Sequence, residues 1–389
     1  MMDTWSKRIL LFVTVFFWFS MYTYVPTMAP YAQTLGASYQ MVGLIIGSYG
    51  FVQLVLRIPV GVFSDAWGSR KLFVVVGIIV ASLSSFGMWL FPTAGALLLF
   101  RGLAGAAAAT WVDYTVLYAS YFPSKEAPKA MGFLNAANNL GQVIAMLSGG
   151  YVAERFGLGS PFLLGAMVGV VGIILSLGVR EKRAVPKPVS IITLMEVLRD
   201  SNLMKLSGLG IVSQVVTFVT VFGFLPLAAQ ALGASIFDLG LLTTATMIPS
   251  IFSAALSGAF FSKHFGERTT LVMGLLFTAL SCIVIPFIHS LSGLYISQAV
   301  GGFARGLVLP LLMGLSIKSF AGDKRSTAMS VFQAIYGLGM FGGPVLAGIL
   351  SNTFSLAIGF WVTGLIGLMG AGLAGWKGYL PFERSVRQS

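Results

Sequence analysis

The sequence predicts an all-α membrane protein with twelve transmembrane helices in two pseudo-symmetric six-helix bundles. The first observation behind this prediction is composition: of 389 residues, 57% are hydrophobic and 9% are charged, and the mean hydropathy is +0.89. Soluble globular chains carry about 25% charged residues. The composition therefore excludes a water-soluble enzyme, a disordered regulator and a nucleic-acid-binding domain. The other two observations are the number of apolar segments and an internal repeat.

Twelve apolar segments are each long enough to cross a bilayer. A membrane helix needs roughly 20 apolar residues, because ~1.5 Å of rise per residue must span about 30 Å of hydrocarbon. The segments cover residues 9–34, 40–64, 71–91, 94–120, 129–153, 160–179, 203–231, 237–262, 268–288, 292–317, 326–350 and 354–376. The first run continues to about Leu35 without a small-residue cleavage site, so we interpret it as a retained span and not a signal peptide.

The second six segments repeat short motifs of the first six at a nearly constant separation. Leu35-Gly36-Ala37-Ser38 recurs as Leu232-Gly233-Ala234-Ser235, 197 residues later, and Ala130-Met131 recurs as Ala328-Met329, 198 residues later. Six spans return the chain to its starting side, so both halves enter the membrane from the same face. Such parallel repeats place a binding cavity between the halves, near the middle of the membrane.

A polar stretch separates the two halves. Residues 181–202 include three charged residues at their start, followed by Pro186 and Pro188, which break helices. We therefore expect six-helix halves at 1–180 and 203–389, joined by a cytoplasmic linker. Apolar residues at helical spacing from Ile191 to Leu198 predict a short amphipathic helix in this linker. That helix either lies on the membrane surface or is a solvated tether.

The distribution of positive charge predicts the orientation in the membrane. Of 24 lysines and arginines, 20 fall in segments on the side of the amino terminus. By the positive-inside rule, both termini of this multi-pass protein of the cell membrane are cytoplasmic. The net charge of +12 is then explained by topology and implies no nucleic-acid partner. A single cysteine excludes a disulfide framework or cysteine cluster, and we expect no metal, no cofactor and a monomer.

The loop after the second span contains a spaced motif of Gly61, Asp65, Gly68, Arg70 and Lys71. It resembles the signature of that loop in the major facilitator superfamily, and the resemblance covers nearly the whole chain. In that family the cluster is thought to latch the two halves in the outward-open state. We expect Gly61 to permit close helix approach, Gly68 to permit a tight turn, and Asp65 to cap the next helix or meet a basic neighbour. The alternative is a merely basic cytoplasmic loop.

Two further motifs resemble those of drug/proton antiporters in the family. Arg101 and Gly105 resemble the arginine-glycine motif of the fourth span, which is linked to proton transfer in proton-coupled members. The fifth span carries glycines of the antiporter motif without its proline, and the eleventh span carries a version that includes the proline. As an alternative, these small residues are seams at which membrane helices pack. They are Gly141, Gly149, Gly339, Gly343, Pro344 and Gly348.

Ionisable residues inside the predicted spans are candidates for function, because burying each at the bilayer centre costs ~2.5 kcal/mol or more. Asp113 is the only acid well inside a span, so we expect it to carry a proton; the alternative is a static buried ion pair. Arg101 lies 12 residues away and cannot pair with it. In the family that this chain resembles, the first, fourth, seventh and tenth helices line the cavity, and the resemblance implies that Arg305 faces the same water as Asp113. With Arg57, the three arginines make the interior net positive, which favours an anionic or zwitterionic substrate.

Polar-tipped aromatic and amide side chains in the spans are candidates for contact with a substrate, since such groups can both stack and hydrogen-bond. Together with the arginine of the second span, the predicted cavity residues are Trp18, Tyr22, Arg57, Trp111, Tyr114, Asn139 and Tyr336.

These features predict a secondary active transporter that moves a small organic compound by alternating access. Its other expected partners are protons and the lipid bilayer, and proton-coupled efflux through Asp113 is the preferred hypothesis. The alternatives are uptake or exchange of a small organic anion, a lipid flippase on the same fold, and a transport-inactive sensor. A membrane enzyme is disfavoured because one membrane acid and no membrane histidine cannot supply a catalytic cluster. A channel would not explain the repeat.

Overall fold

A computed structural model describes residues 4–123, 126–181, 191–320 and 324–380, and these residues form helices and turns without any strand. The first eight helices are α1 (Thr4–Tyr22), α2 (Val25–Thr34), α3 (Tyr39–Trp67), α4 (Arg70–Leu90), α5 (Ala94–Ala109), α6 (Trp111–Ser120), α7 (Ala127–Phe156) and α8 (Ser160–Leu177). The remaining helices are α9 (Ile191–Leu198), α10 (Ser201–Val219), α11 (Leu225–Ala231), α12 (Ile236–Leu256), α13 (Ser262–Phe265), α14 (Glu267–Ile283), α15 (Leu291–Lys318), α16 (Arg325–Thr353) and α17 (Leu356–Gly375).

The predicted all-helical membrane architecture is confirmed. Ten helical segments in the described part of the chain are long and apolar enough to cross a membrane. Two of the twelve predicted spans do not reach those limits. The ninth is α14, which has only 17 residues. The fifth is α7, whose hydropathy is lowered by Asn135, Asn138, Asn139 and Gln142.

Several spans consist of two helical pieces, and these breaks have local causes. α1 and α2 are separated at Thr23–Tyr24, because Pro26 has no N–H to donate to the preceding turn. A π-helical turn, Thr220–Phe224, precedes Pro226 in the same way between α10 and α11. α5 and α6 meet at Thr110, whose carbonyl accepts from the Asp113 N–H at 2.8 Å. This last break places Asp113 in the first turn of α6.

The chain divides into two compact units, Met1–Val189 with Ala234–Thr244, and Ser190–Gly233 with Ala245–Ser389. The segment Ala234–Thr244 joins the first unit because Gly240 packs against Gly150 in α7 and the Phe237 N–H donates to Glu154 at 3.1 Å. Our division into halves at 1–180 and 203–389 places this segment in the second half, and it stays a prediction.

Both units repeat the same helix pairings. In the first unit α1 packs on α7, and α4 packs on α5 and α8; in the second, α10 packs on α16, and α14 packs on α15 and α17. The turns repeat as well. Gly36 and Gly233 have φ of 80° and 83°, and Gly68 and Gly266 have φ of 67° and 82°. The sequence repeat is therefore also a repeat of helix packing and of the positions of positive-φ glycines, although ψ differs between Gly68 at 19° and Gly266 at 154°.

Of the linker, the structure describes Glu181 and the residues from Ile191 onward, so Lys182, Arg183 and the two prolines Pro186 and Pro188 lie outside the described residues. α9 forms at the predicted place, and Lys324 Nζ donates to Glu196 Oε2 on α9 at 2.6 Å. The sidedness of this helix relative to a membrane stays a prediction.

Large apolar side chains cover the outside of the helices. Leu99, Phe156, Ile296 and Met369 are between 67% and 76% exposed. In a water-soluble protein so many exposed apolar side chains would cause aggregation, whereas lipid is their natural solvent.

Candidate functional site

A cluster of charged side chains joins the loop after α3 to the start of α6. Arg70 Nη1 donates to Asp113 Oδ1 at 2.8 Å and to Ser64 Oγ at 2.6 Å, while Arg70 Nη2 is bound to Asp65 Oδ1. We call Ser64, Asp65, Arg70 and Asp113 the Arg70 cluster. Its guanidinium bridges two carboxylates, and such charge-assisted hydrogen bonds are the strong ones in proteins.

Two helix boundaries position the Arg70 cluster. α3 ends at Gly68, which adopts the left-handed conformation that glycine reaches without strain, and its N–H donates to the Ser64 carbonyl at 3.1 Å. Ser69 then caps α4 with its hydroxyl. Asp65 therefore lies in the last turn of α3 and Arg70 is the first residue of α4. The expected basic neighbour of Asp65 is thus Arg70.

The expected close approach at Gly61 is absent. A Cβ added to Gly61 would meet nothing within 4 Å in the described residues. The Gly61 carbonyl instead accepts from Ser64 Oγ at 3.0 Å. In the structure Gly61 therefore contributes a hydrogen bond within α3, and the helix surface beside it is open in the described part of the chain.

Glu181, which follows α8, binds the start of α4 through hydrogen bonds. Its carboxylate accepts from Ser69 Oγ at 2.9 Å and from the backbone N–H groups of Arg70 and Lys71 at 2.7 and 2.9 Å. Negative charge at a helix amino terminus is stabilising. Lys71 Nζ donates to the Leu177 carbonyl at 2.8 Å. Both backbone and side chain of the loop motif are therefore held by the end of α8, at Leu177, and by Glu181, which follows α8.

Tyr121 adds a further contact beside this region, because its hydroxyl donates to the Arg180 carbonyl at 2.7 Å. Burial raises the pKa of the Tyr121 phenol, so the hydroxyl remains protonated and can act as the donor.

The two carboxylate oxygens of Asp113 differ in their hydrogen bonding. Its side chain is 0% exposed, Oδ1 accepts from Arg70, and Oδ2 is buried without a hydrogen-bond partner among the described residues. A buried carboxylate with one free oxygen can take up a proton there without losing an existing hydrogen bond. The ion-pair partner within its unit is Arg70, a residue that we assigned to the latch. The expected proximity of Asp113 and Arg305, which belong to different units, stays a prediction.

Arg101 in α5 is held by aromatic side chains. Its Nη1 lies 3.3 Å from the Tyr24 hydroxyl, and its guanidinium lies 4.4 Å from the centroid of the Tyr49 ring. A cation over a tyrosine face is stabilised by the ring quadrupole. Gly105, one turn after Arg101, packs on the Tyr49 backbone so closely that a Cβ would overlap it.

Four of the predicted cavity residues form one aromatic cluster in the first unit. The ring centroids of Trp18 lie 5.4 Å from Tyr22 and 5.2 Å from Trp111, and Trp111 lies 5.8 Å from Tyr114. Tyr114 is fully buried and contacts the Val74 carbonyl at 3.3 Å, so it is part of the core in this conformation. Trp18 Nε1 is buried without a partner among the described residues.

The other three predicted cavity residues lie outside that aromatic cluster. Arg57 in α3 is 3% exposed, and Asn139 in α7 is half-buried. Tyr336 in α16 is 8% exposed and packs edge-on against Phe332 in the second unit.

The second unit contains a cavity of about 190 Å³ between α10, α12 and α15. Arg305 lines it, together with polar side chains of α10 and α12 and apolar side chains of α12, α15 and the π-helical turn after α10. Arg305 is 6% exposed, and its Nη1 and Nη2 have no hydrogen-bond partner among the described residues. This cavity therefore has mainly apolar walls with several polar side chains and one cation, whose Nη1 and Nη2 are without partners in the described part of the chain.

Most of the predicted packing residues lie where helices touch. A Cβ on Gly141 would come within 2.6 Å of the Val15 carbonyl oxygen, and one on Gly149 would overlap the Thr23 carbonyl oxygen. In α16, Gly339 and Gly343 meet the backbone of α10 in the same way. Pro344 and Gly348 are buried in α16.

Sequence reasoning missed several residues that the structure adds to these sites. Glu181 and Ser64 carry no motif of their own, and the only signal for Glu181 was an acid placed among basic residues after α8. Tyr49 could have been inferred from the small residue Gly105, which requires a close neighbour but does not name it. Gln214 lines the cavity beside Arg305 and gives no periodic signal that separates it from a core amide.

The profile of the Major Facilitator Superfamily matches residues 10–227 and 206–388. The quinolone resistance protein NorA of Staphylococcus aureus is 24% identical to this chain over 359 residues, which covers 88% of the chain and 90% of NorA. The multi-drug resistance efflux pump PmrA homolog of Lactococcus lactis is 26% identical over 370 residues and covers 90% of each.

Among solved structures, a bacterial homolog of the human lysosomal transporter Spinster, in an inward-facing and occupied conformation, superposes with a TM-score of 0.76. The match covers 95% of each chain at 18% identity, so it concerns the fold.

Proposed function

Because the chain belongs to the major facilitator superfamily, we propose that it is a secondary active transporter that exports a small organic compound in exchange for protons, by alternating access. The observation that carries the coupling is Asp113, a fully buried acid with one oxygen on Arg70 and the other without a partner among the described residues. The relatives of this chain include proteins named for quinolone resistance and multi-drug efflux, which favours export of an organic compound.

In this proposal Asp113 Oδ2 takes up the transported proton. The ionised Arg70 cluster holds two carboxylates and one guanidinium, so it carries one net negative charge. Protonation of Asp113 neutralises one carboxylate and leaves the guanidinium balanced by Asp65 alone. Because charged hydrogen bonds are roughly twice as strong as neutral ones, proton uptake weakens the bond that ties α6 to the start of α4. Binding of the proton would thereby control how firmly the loop motif is bound to α6.

A second candidate function is uptake or exchange of an organic anion. The observation that favours it is the net positive interior predicted from the sequence, above all Arg305 beside the cavity of the second unit, whose Nη1 and Nη2 have no partner in the described part of the chain. Export and uptake differ only in which gradient drives the cycle, so a direct transport assay separates them.

Everted membrane vesicles with an acidified interior provide this assay. Ethidium, norfloxacin and 1-naphthoate are offered in turn, and export by the protein appears as accumulation in the vesicles. We expect accumulation of at least one compound that a protonophore abolishes and that Asp113→Asn removes. Glu196→Gln serves as a matched control, because its carboxylate is half-exposed in a surface pair with Lys324. Accumulation that persists in the presence of protonophore, or none for any compound, would overturn proton-coupled export.

A further inference from the structure

We propose that Arg305 binds an anionic oxygen group of the transported compound, and that the cavity beside it receives an adjoining apolar ring. This inference rests on the proposed transport function and assigns its substrate class. The compound would be an aromatic carboxylate or phosphate in the state that the transporter binds.

Arg305 has no acidic partner among the described residues of its own unit, and its Nη1 and Nη2 have no hydrogen-bond partner there. The acids of this unit that the structure describes are Glu196, Asp200 and Glu267, and none of them lies inside a predicted span. Glu267, at the first residue of α14, is bound to Lys318 at 3.3 Å. Because an unpaired buried cation is unfavourable, a site that retains one is suited to an anionic ligand.

Arg101 provides a contrast within the same chain. It is as deeply buried as Arg305, but the Tyr24 hydroxyl and the face of Tyr49 stabilise its charge. The protein therefore gives the charge of Arg101 a hydroxyl and a ring face, although Arg101 Nε is also buried without a partner, and leaves Nη1 and Nη2 of Arg305 without partners among the described residues. Unused guanidinium donors form a planar fork that matches a carboxylate or phosphate with two parallel hydrogen bonds.

The cavity has the size and chemistry for the rest of such a ligand. Its volume is about 190 Å³, and an apolar cavity of ~150 Å³ is large enough to hold benzene. Val221, Phe222 and Leu309 supply apolar walls, while Ser213, Gln214 and Thr217 on α10 supply hydrogen-bonding groups. An aromatic ring with one oxyanion therefore finds both a dry surface and a cation.

The test compares acids with an uncharged molecule of the same shape. 1-Naphthoate and 1-naphthyl phosphate are titrated into the purified protein in detergent, with 1-naphthamide as the neutral match, and binding is measured by calorimetry and by the rise in melting temperature. We expect at least one acid to bind at least 10-fold more tightly than the amide. Equal binding of acids and amide, or no binding of any, would overturn the inference.

Two substitutions place the effect on Arg305. Arg305→Gln is expected to weaken binding of the acid by roughly 10- to 100-fold, the range for a lost hydrogen bond to a charged group, and to leave amide binding unchanged. Arg305→Lys should retain part of the preference. Arg199→Gln, which removes an exposed positive charge of the same unit, should change nothing.

The melting temperature of the ligand-free protein distinguishes a structural role of Arg305 from a role in ligand binding. If its donors are unused, Arg305→Gln leaves the melting temperature unchanged or raises it, since no buried partner is left uncompensated. A large fall in melting temperature without ligand would show that Arg305 has an internal partner and would overturn the inference.

The transport function can fail independently of this site. If acid binding depends on Arg305 but no proton-driven transport occurs, the anion-binding site is supported and proton-coupled export is refuted. If proton-driven transport occurs but acids bind no more tightly than the amide, proton-coupled export is supported and the anion-binding site is refuted.

Discussion

Asp113 and Arg70 are separated by 43 positions in the sequence but lie 2.8 Å apart between Oδ1 and Nη1. Asp113 is fully buried, whereas the Arg70 side chain is 15% exposed. Removal of the guanidinium would leave a carboxylate in a place that neither water nor another cation of the cluster can reach. The stability of the ion pair is therefore coupled to the charge of Asp113.

Arg70→Gln is expected to destabilise the protein by up to about 3–5 kcal/mol, the cost of removing one partner of a buried pair. The double variant Arg70→Gln with Asp113→Asn should recover part of this loss, because no buried charge remains. Thermal unfolding in detergent measures both, and Arg199→Gln is the control for lost positive charge. A double variant that loses the full sum of the two single effects would contradict the coupling.

Residue-scale prediction from sequence was uneven for physical reasons. The left-handed turn at Gly68 and the basic partner of Asp65 follow from local spacing, so the loop motif indicates them. The pairing of Arg70 with Asp113 and the contacts of Glu181 depend on how α4, α6 and the residue after α8 are packed. Local sequence does not encode those distances, and the expected proximity of Asp113 and Arg305 stays a prediction.

At the scale of helices, α7 shows how a span of low hydropathy is held in place. Its amide side chains reduce its preference for lipid, but Gly141 and Gly149 let it approach the backbone of the first span closely. The first span is interrupted at Thr23, directly opposite Gly149. Contact between backbones therefore compensates for a weaker apolar surface.

Gly149→Ala tests this seam. The added methyl would overlap the Thr23 carbonyl oxygen, so we expect a loss of about 1–3 kcal/mol from overpacking. Gly132→Ala is the control in the same helix, because its Cβ would meet nothing within 4 Å. That change should be neutral or stabilising by up to about 1 kcal/mol. Equal melting temperatures for the two variants would show that the seam is not tightly packed.

Helices were the most predictable elements of this chain. Apolar length located each span, and prolines account for the breaks near Thr23 and Thr220. The close approach expected at Gly61 did not occur, because a glycine in sequence does not distinguish a contact from an open surface. The 17 residues of α14 are likewise fewer than its apolar segment suggested, since a turn at Ile285–Phe287 ends the helix early.

At the scale of the whole molecule, the distribution of 24 basic residues predicts which surface faces the cytoplasm. The native thiol of Cys282 is 0% exposed, so the folded protein offers no background in a cysteine-labelling experiment. Arg155 follows the fifth predicted span, which places it on the side opposite the amino terminus, whereas Arg199 lies in the predicted cytoplasmic linker; both side chains are exposed.

We expect Arg155→Cys to react with a membrane-impermeant maleimide in intact cells, and Arg199→Cys to react only after permeabilisation. Wild-type protein should remain unlabelled in both conditions. The reverse labelling pattern would invert the topology and place the Arg70 cluster at the outer surface.

The most direct test of the central claim, that Asp113 couples transport to protons, is internal pH in liposomes that contain the purified protein. An imposed gradient of the compound found in the vesicle assay should drive proton movement in wild type. Asp113→Asn should bind the compound and move no protons. If wild type transports the compound without a change in internal pH, or if Asp113→Asn still moves protons, Asp113 is a static partner of Arg70 and the coupling does not depend on it.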